Sequence, residues 1–170
     1  NEVVEVETEI QSAIGQVKGF VVYRFDSKEV ATAVLDTISE DVLSDKPFTP
    51  CGKYDAYKSG FTPFSGEGEH YLLKTKGISA MQITTQSKTP KSASVKRKCK
   101  IAEDQYMKDN NVEKADKETK EIIKLSVMES LLPTTDPDNE KTTLLWLVGE
   151  YLFVGLGKYD KAEELISILR

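Results

Sequence analysis

The stretch Thr142-Thr143-Leu144-Leu145-Trp146-Leu147-Val148-Gly149-Glu150-Tyr151-Leu152-Phe153-Val154-Gly155-Leu156 decides the reading of the fold. Two runs of apolar, aromatic and β-branched residues flank Gly149-Glu150, the pattern of two antiparallel strands joined by a tight turn. Downstream, Lys158 to Leu169 is an amphipathic helix. Upstream, Thr134 to Lys141 is a polar connection with Asp136-Pro137-Asp138-Asn139 as its turn core. A second hairpin is expected from His70 to Lys76 and Ile78 to Gln86, turning at Lys76-Gly77. Val17 to Phe25 reads as a strand buried on both faces, followed by a helix that Ser27 caps. That helix carries Val30, Val34, Leu35 and Ile38 at helical spacing through about Leu43. Between it and the second hairpin, Pro47, Pro50, Gly52, Gly60, Pro63, Gly66 and Gly68 predict loop with short extended pieces at Phe48-Thr49 and Phe61-Thr62. The aromatics Phe48, Tyr54, Tyr57, Phe61 and Phe64 either pin this loop to the core or form a base-stacking surface.

From Pro90 to Leu132 the chain is charged and helical, stopping at Pro133 and spanning about 60 Å if unbroken. Val95, Cys99, Ala102 and Tyr106 form a narrow seam suited to a second helix. Asp109-Asn110-Asn111 is the expected break, after which Ile122, Ile123, Val127 and Leu131 mark a more apolar helix. Two antiparallel helices and one kinked arm fit equally well. The order strand, helix, hairpin, helix pair, hairpin, helix predicts an α+β fold: a largely antiparallel sheet with flanking helices and a protruding long helix or helix pair. Residues 1–16, with Glu2, Glu5, Glu7 and Glu9, are set apart as an acidic N-terminal extension. Residues 17–170 are read as one domain, its helical arm at about 90–132.

The 170 residues are 39% hydrophobic and 30% charged, enough for one well-buried domain or two very small ones. No apolar run approaches the roughly 18–20 residues of a membrane span, so no membrane role is expected. Asn1-Glu2-Val3-Val4-Glu5 carries acid where a secretion signal carries base, which favours a cytoplasmic protein. Cys51, Cys99 and His70 are too few for a structural zinc site, and the cysteines read as reduced thiols. A Cys51/His70 nucleophile pair lacks any supporting third residue.

The net charge of −5 hides a strong asymmetry. Residues 1–70 hold 6 Lys/Arg against 13 Asp/Glu, and residues 101–170 hold 9 against 15. Residues 71–100 hold Lys74, Lys76, Lys88, Lys91, Lys96, Arg97, Lys98 and Lys100 with no acid, a charge of +8. Such a segment attracts a polyanion by counterion release, while the acidic remainder repels it and confines contact to one face. A solvated basic surface explains the same residues.

Phosphate-loop, dinucleotide, H-E-x-x-H and G-x-S-x-G motifs are absent, and Gly66-Glu67-Gly68 and Gly155-Leu156-Gly157 are too short to count. A metal-dependent nuclease would need converging carboxylates with a lysine; Asp116, Glu118 and Lys120 come nearest, but their spacing does not share one helix face. No enzyme, metal or cofactor is expected.

Phe48-Thr49-Pro50-Cys51-Gly52, about twenty-five residues after Val22-Tyr23-Arg24, resembles the N-terminal half of the recombination-associated RdgC family. Gly60-Phe61-Thr62-Pro63, Val127 to Pro133, Thr143-Leu144-Leu145-Trp146 and the closing Lys161-Ala162-Glu163 with Leu165 to Arg170 match further family segments in order. The resemblance covers roughly Val17 to Arg170. It implies a DNA-binding protein without marked sequence preference, linked to recombination and replication on the nucleoid, whose subunits pair into a ring around duplex DNA. The family also carries an exonuclease label. Where members have an aromatic at the subunit contact after Pro133, this chain has Thr134-Thr135-Asp136-Pro137. A chain matching one half of the family is expected to be a truncated or phage-encoded member, in the latter case working in the host cytoplasm.

The function expected is therefore sequence-nonspecific DNA binding by a homodimer, on double-stranded and also single-stranded DNA. Its phosphate contacts would be Lys88, Lys91, Lys96, Arg97, Lys98 and Lys100, with Lys74 and Lys76 assisting. The alternative is a protein-interaction module, or a modulator, whose helical arm docks on a partner protein without DNA. A Mg²⁺-dependent exonuclease is the third reading.

Overall fold

The computed structural model describes residues 2–65 and 69–169. Gly66 and Gly68, read as loop punctuation, Glu67 between them and Arg170 of the closing stretch lie outside the described residues. In chain order the elements are α1 (Glu2–Gly15), β1 (Val21–Arg24), α2 (Lys28–Thr37), α3 (Glu40–Ser44), β2 (Tyr57–Thr62), β3 (Leu72–Thr75) and β4 (Ile78–Ser87). There follow α4 (Ser92–Asn110), α5 (Lys117–Leu131), β5 (Lys141–Val148), β6 (Tyr151–Val154) and α6 (Tyr159–Ile166). Short 3-10 turns follow α5 and α6. This is the expected α+β fold. Among the described residues no helix is long and apolar enough to cross a membrane.

The chain forms two compact units, the first of Asn1–Thr49, Ser59–Thr85 and Glu140–Arg170, the second of Pro50–Lys58 and Gln86–Asn139. The first holds the sheet, in the order β1-β6-β5-β4-β2 with β3 also paired to β4. Both predicted hairpins form antiparallel, Leu72↔Met81 through Thr75↔Ile78 and Leu145↔Val154 through Val148↔Tyr151. Gly149 sits at φ +59 in the two-residue turn, a conformation that disfavours a β-carbon. β4 and β5 join the hairpins at the centre, Met81 opposite Leu145 and Thr84 opposite Thr142.

Leu144, Leu145, Trp146 and Leu147 are all buried, because helices cover both sheet faces. Met81, Ile83, Leu145, Leu147, Leu152 and Val154 pack with Ile38 and Leu43 from the α2–α3 segment and Ala162 and Leu165 of α6. Leu73, Ala80, Leu144 and Trp146 pack on the opposite face with Phe64 and Ile10 of α1. There Trp146 stacks on Phe153 at 5.1 Å between ring centroids, and Phe20 meets both rings edge-on.

Three sequence expectations are corrected. The first strand is not buried on both faces: β1 is four residues long, lies at a sheet edge, and alternates half-buried Val21 and Tyr23 with exposed Val22 and Arg24. An edge position outside the central β4–β5 core leaves one side uncovered. The helix after Ser27 does not reach Leu43. Ser27 caps α2 by accepting from the Val30 N–H at 3.2 Å, but Ile38 turns extended (φ −93, ψ 117) and Ser39 caps the separate α3. Extended Ile38 drops its side chain into the core, while Val30, expected on the apolar stripe, is exposed. The acidic lead, assigned no element, is α1, whose Val6, Ile10, Ala13 and Ile14 face the core at helical spacing.

The loop motifs also acquire a physical basis. A β-carbon on Gly60 would lie 2.4 Å from the Phe48 amide nitrogen. The Phe48 N–H donates to the Phe61 carbonyl and the Phe61 N–H to the Lys46 carbonyl, each at 2.9 Å, so two backbones cross at a glycine. Glu40 accepts from the Tyr71 and Leu72 amides at 2.7 and 2.9 Å, fixing the entry to β3.

The second unit is a helix pair. Val95 near the start of α4 packs with Val127 and Leu131 near the end of α5, so the helices are antiparallel, with Cys99, Ile123 and Met128 alongside. Asn111 ends α4 in the left-handed region (φ 51), where the predicted break lies, and its N–H reaches back to Lys108. Since α1 is part of the first core, Ile10→Ala is expected to lower stability by about 2–5 kcal/mol in urea unfolding, while exposed Val3→Ala leaves the midpoint unchanged.

Candidate nucleic-acid interface

The eight cations of residues 74–100 are divided between the units. Lys74 and Lys76 lie exposed at the end of β3 and in its turn. Their unit carries 10 Lys/Arg against 17 Asp/Glu, a charge of −7. The other six belong to the second unit, with 13 Lys/Arg against 11 Asp/Glu, or +2. There Lys91, Lys96, Arg97, Lys98 and Lys100 are all exposed at the start of α4. At about 100° per residue, Arg97 and Lys100 fall opposite the seam of Val95, Cys99, Ala102 and Tyr106, with Lys96 and Lys98 on its flanks. The first half of α4 is thus cationic everywhere except where it packs on α5. Among the described residues none of these five side chains makes an ion pair within 4.0 Å.

Local electrostatics make this arrangement costly. Ser27, Ser39 and Asp116 cap α2, α3 and α5 through their side chains, each followed by an acid in the first turn. In α4 the cap position is Lys91, with no side-chain bond, and the first turn holds no acid. Unpaired amides and the positive end of the helix dipole therefore face like charge, a conflict that an anion at this turn relieves.

Lys88 is placed differently from the other five. It is 6% exposed, and its ammonium donates to the Gly52 and Lys53 carbonyls at 3.1 and 3.0 Å. Its own N–H donates to Ala56 at 2.8 Å. Two residues earlier, Gln86 accepts from the Cys51 amide at 2.8 Å and donates through Nε2 to the Asp138 carbonyl at 2.9 Å. The Cys51 thiol donates to the Gln86 carbonyl at 3.4 Å. Burial first, and the Asp55 carboxylate second, push that thiol up, against the pull of Lys88 and Lys58. Lys88 and Gln86 thus hold the loop of residues 50–58 in the second unit. The loop presents Lys53, whose ammonium stands 5.5 Å from the Tyr54 ring centroid, and Lys58, paired with Asp55 at 4.0 Å. Sequence reasoning missed Lys53 because it lies outside the acid-free segment. Of the aromatics expected in the loop, Phe61 and Phe64 are buried in the first unit, Phe48 is half-buried, and Tyr54 and Tyr57 are exposed.

Asp116, the nearest candidate for a metal ligand, caps α5 by accepting from the Thr119 N–H at 2.7 Å, which holds its carboxyl below the usual carboxylate range. Glu118 and Lys120 are exposed on the same helix. Among the described residues no group of three or more His, Cys, Asp or Glu is placed to hold a metal ion. A cleft of about 780 Å³ in the first unit, lined by Glu5, Glu9, Thr62 and Thr142 among others, is acidic and repels phosphate.

A family model described as "Putative exonuclease, RdgC" matches residues 17–170. The recombination-associated protein RdgC of Shewanella oneidensis is 28% identical over 155 residues, covering 90% of this chain and 50% of that protein. Proteins of the same name from Serratia proteamaculans and Salmonella paratyphi B are 28% and 26% identical over 156 and 155 residues, with the same coverage. The chain spans about half the length of the curated relatives it matches.

The exposed Lys91 cap yields a direct test. Lys91→Asp supplies a side-chain acceptor and an acid at the α4 terminus, and is expected to raise stability by about 1 kcal/mol in urea unfolding while lowering affinity for a polyanion.

Proposed function

The chain belongs to the RdgC family, and we propose that it binds DNA in recombination and replication, holding phosphates without reading base sequence. The observation that carries this reading is the set of five exposed, unpaired cations on the uncapped start of α4. Phosphate oxygens complement both the side-chain charge and the free helix amides, and neither group discriminates among bases. Lys74 and Lys76 are further exposed cations of the first unit. Lys88, engaged inside the second, shapes the loop of residues 50–58.

In this reading the protein is a binder and not a nuclease, with Asp116 committed to capping α5. It works as a homodimer on nucleoid DNA in the cytoplasm. The first unit, at −7, repels a polyanion, while the second, at +2, carries the cationic helix start that holds it.

Fluorescence anisotropy with a labelled duplex of random sequence, at several salt concentrations with and without Mg²⁺, tests this. Binding is expected to fall linearly with salt on logarithmic axes, with the DNA left at full length. Replacing Lys96, Arg97 and Lys98 by alanine is expected to reduce the slope by roughly 2.7 and to weaken unrelated sequences alike. Undiminished affinity of that variant, or Mg²⁺-dependent shortening of the DNA, overturns the assignment.

A further inference from the structure

The loop of residues 50–58 is held at several backbone groups. The Cys51 amide is held by Gln86, the Gly52 amide by Asp55 Oδ2 at 2.8 Å, and the Gly52, Lys53 and Ala56 carbonyls by Lys88. At the crest of this clamped segment Tyr54 has 73% of its surface in water. A single exposed aromatic is ordinary on a protein surface. Here, however, the ring stands on a pre-organised platform, a lysine ammonium lies 5.5 Å from its centroid, and the clamp ties it to the cationic start of α4. Lys91 follows Lys88 by three residues, at most about 11 Å of backbone at 3.8 Å per residue. Within one unit, a cationic helix start and a largely exposed aromatic ring, with the Lys53 ammonium over one face, occur together.

We propose that Tyr54 stacks on an unpaired nucleobase, so that this protein holds single-stranded DNA by an aromatic contact added to its phosphate contacts. The inference rests on reading α4 as a phosphate site. In a duplex each base face is covered by its neighbours, so the ring finds a partner only on a single strand or a frayed end. Every base has a π-face, so the contact adds affinity without sequence preference. A tyrosine ring orders only two side-chain torsions on binding, and the loop beneath it is already fixed, so little freedom is lost. Lys53 is placed to meet the phosphate of the stacked nucleotide.

The test titrates the unaltered protein, Tyr54→Ala, Tyr54→Phe and the Lys96/Arg97/Lys98 alanine variant against a labelled oligothymidine and a blunt duplex at two salt concentrations. Tyr54→Ala is expected to weaken single-strand binding roughly fivefold to a hundredfold, to leave duplex binding within about twofold, and to keep the salt slope, because stacking releases no counterions. Tyr54→Phe keeps the ring and retains single-strand affinity. An equal loss on both ligands, no loss on either, or a phenylalanine variant as weak as the alanine one overturns the proposal. If the α4 variant weakens binding and Tyr54→Ala does not, the stacking contact is wrong and the phosphate site stands. The reverse pattern removes the phosphate site and, with it, the proposal that the ring adds to phosphate contacts. If the unaltered protein binds neither ligand at low salt, both fall.

Discussion

The structure of the first unit turns on β5, whose Leu144, Leu145, Trp146 and Leu147 point alternately to opposite sheet faces and are all buried. A strand apolar on both sides cannot sit at a solvent-facing surface, so both faces need a cover. The α2–α3 segment and α6 supply one and α1 the other. The edges follow from the same constraint. β1, at the sheet edge, packs Val21 and Tyr23 against that core and leaves Val22 and Arg24 exposed.

The second unit answers to electrostatics more than to burial. Its core is small, Val95, Val127 and Leu131 with three half-buried neighbours, and the first half of α4 outside that seam is mostly cationic. Capping side chains serve α2, α3 and α5 and are lacking at α4 and α6, but α6 keeps Asp160 in its first turn while α4 has no acid there. A terminus that collects cations where acids would stabilise it departs from local helix preference, and such departures gather where a ligand supplies the missing partner.

Hairpins were legible because runs of apolar, aromatic and β-branched residues and tight-turn residues are local signals, and Gly149 and Lys76-Gly77 fall where they were expected. The helix pair was legible from the seam at Val95 and the break at Asn111, although only contact with Val127 and Leu131 distinguishes it from a kinked arm. The α1 signal at Val6, Ile10 and Ile14 was present but masked by interleaved glutamates. The break at Ile38 reflects competition that sequence spacing does not encode: a capping serine follows, and the core has room for an extended isoleucine. Among the cations, charge marked the segment but not the fate of each member. Lys88 is withdrawn by carbonyls thirty-five and thirty-six positions away, and the same fold-back brings Lys53 and Tyr54 into the second unit. Contacts at such separation leave no trace in a local pattern.

The stacked pair of Trp146 and Phe153 makes the protein a selective optical reporter. Trp146 is the chain's one tryptophan, 5% exposed and flanked by two phenylalanine rings in the first unit. Its emission is therefore that of an apolar environment, and it records the melting of the sheet alone. Loss of the α4–α5 pair is silent at that wavelength and is seen through helical circular dichroism. A difference between the two traces measures how far the basic helix pair unfolds independently of the sheet.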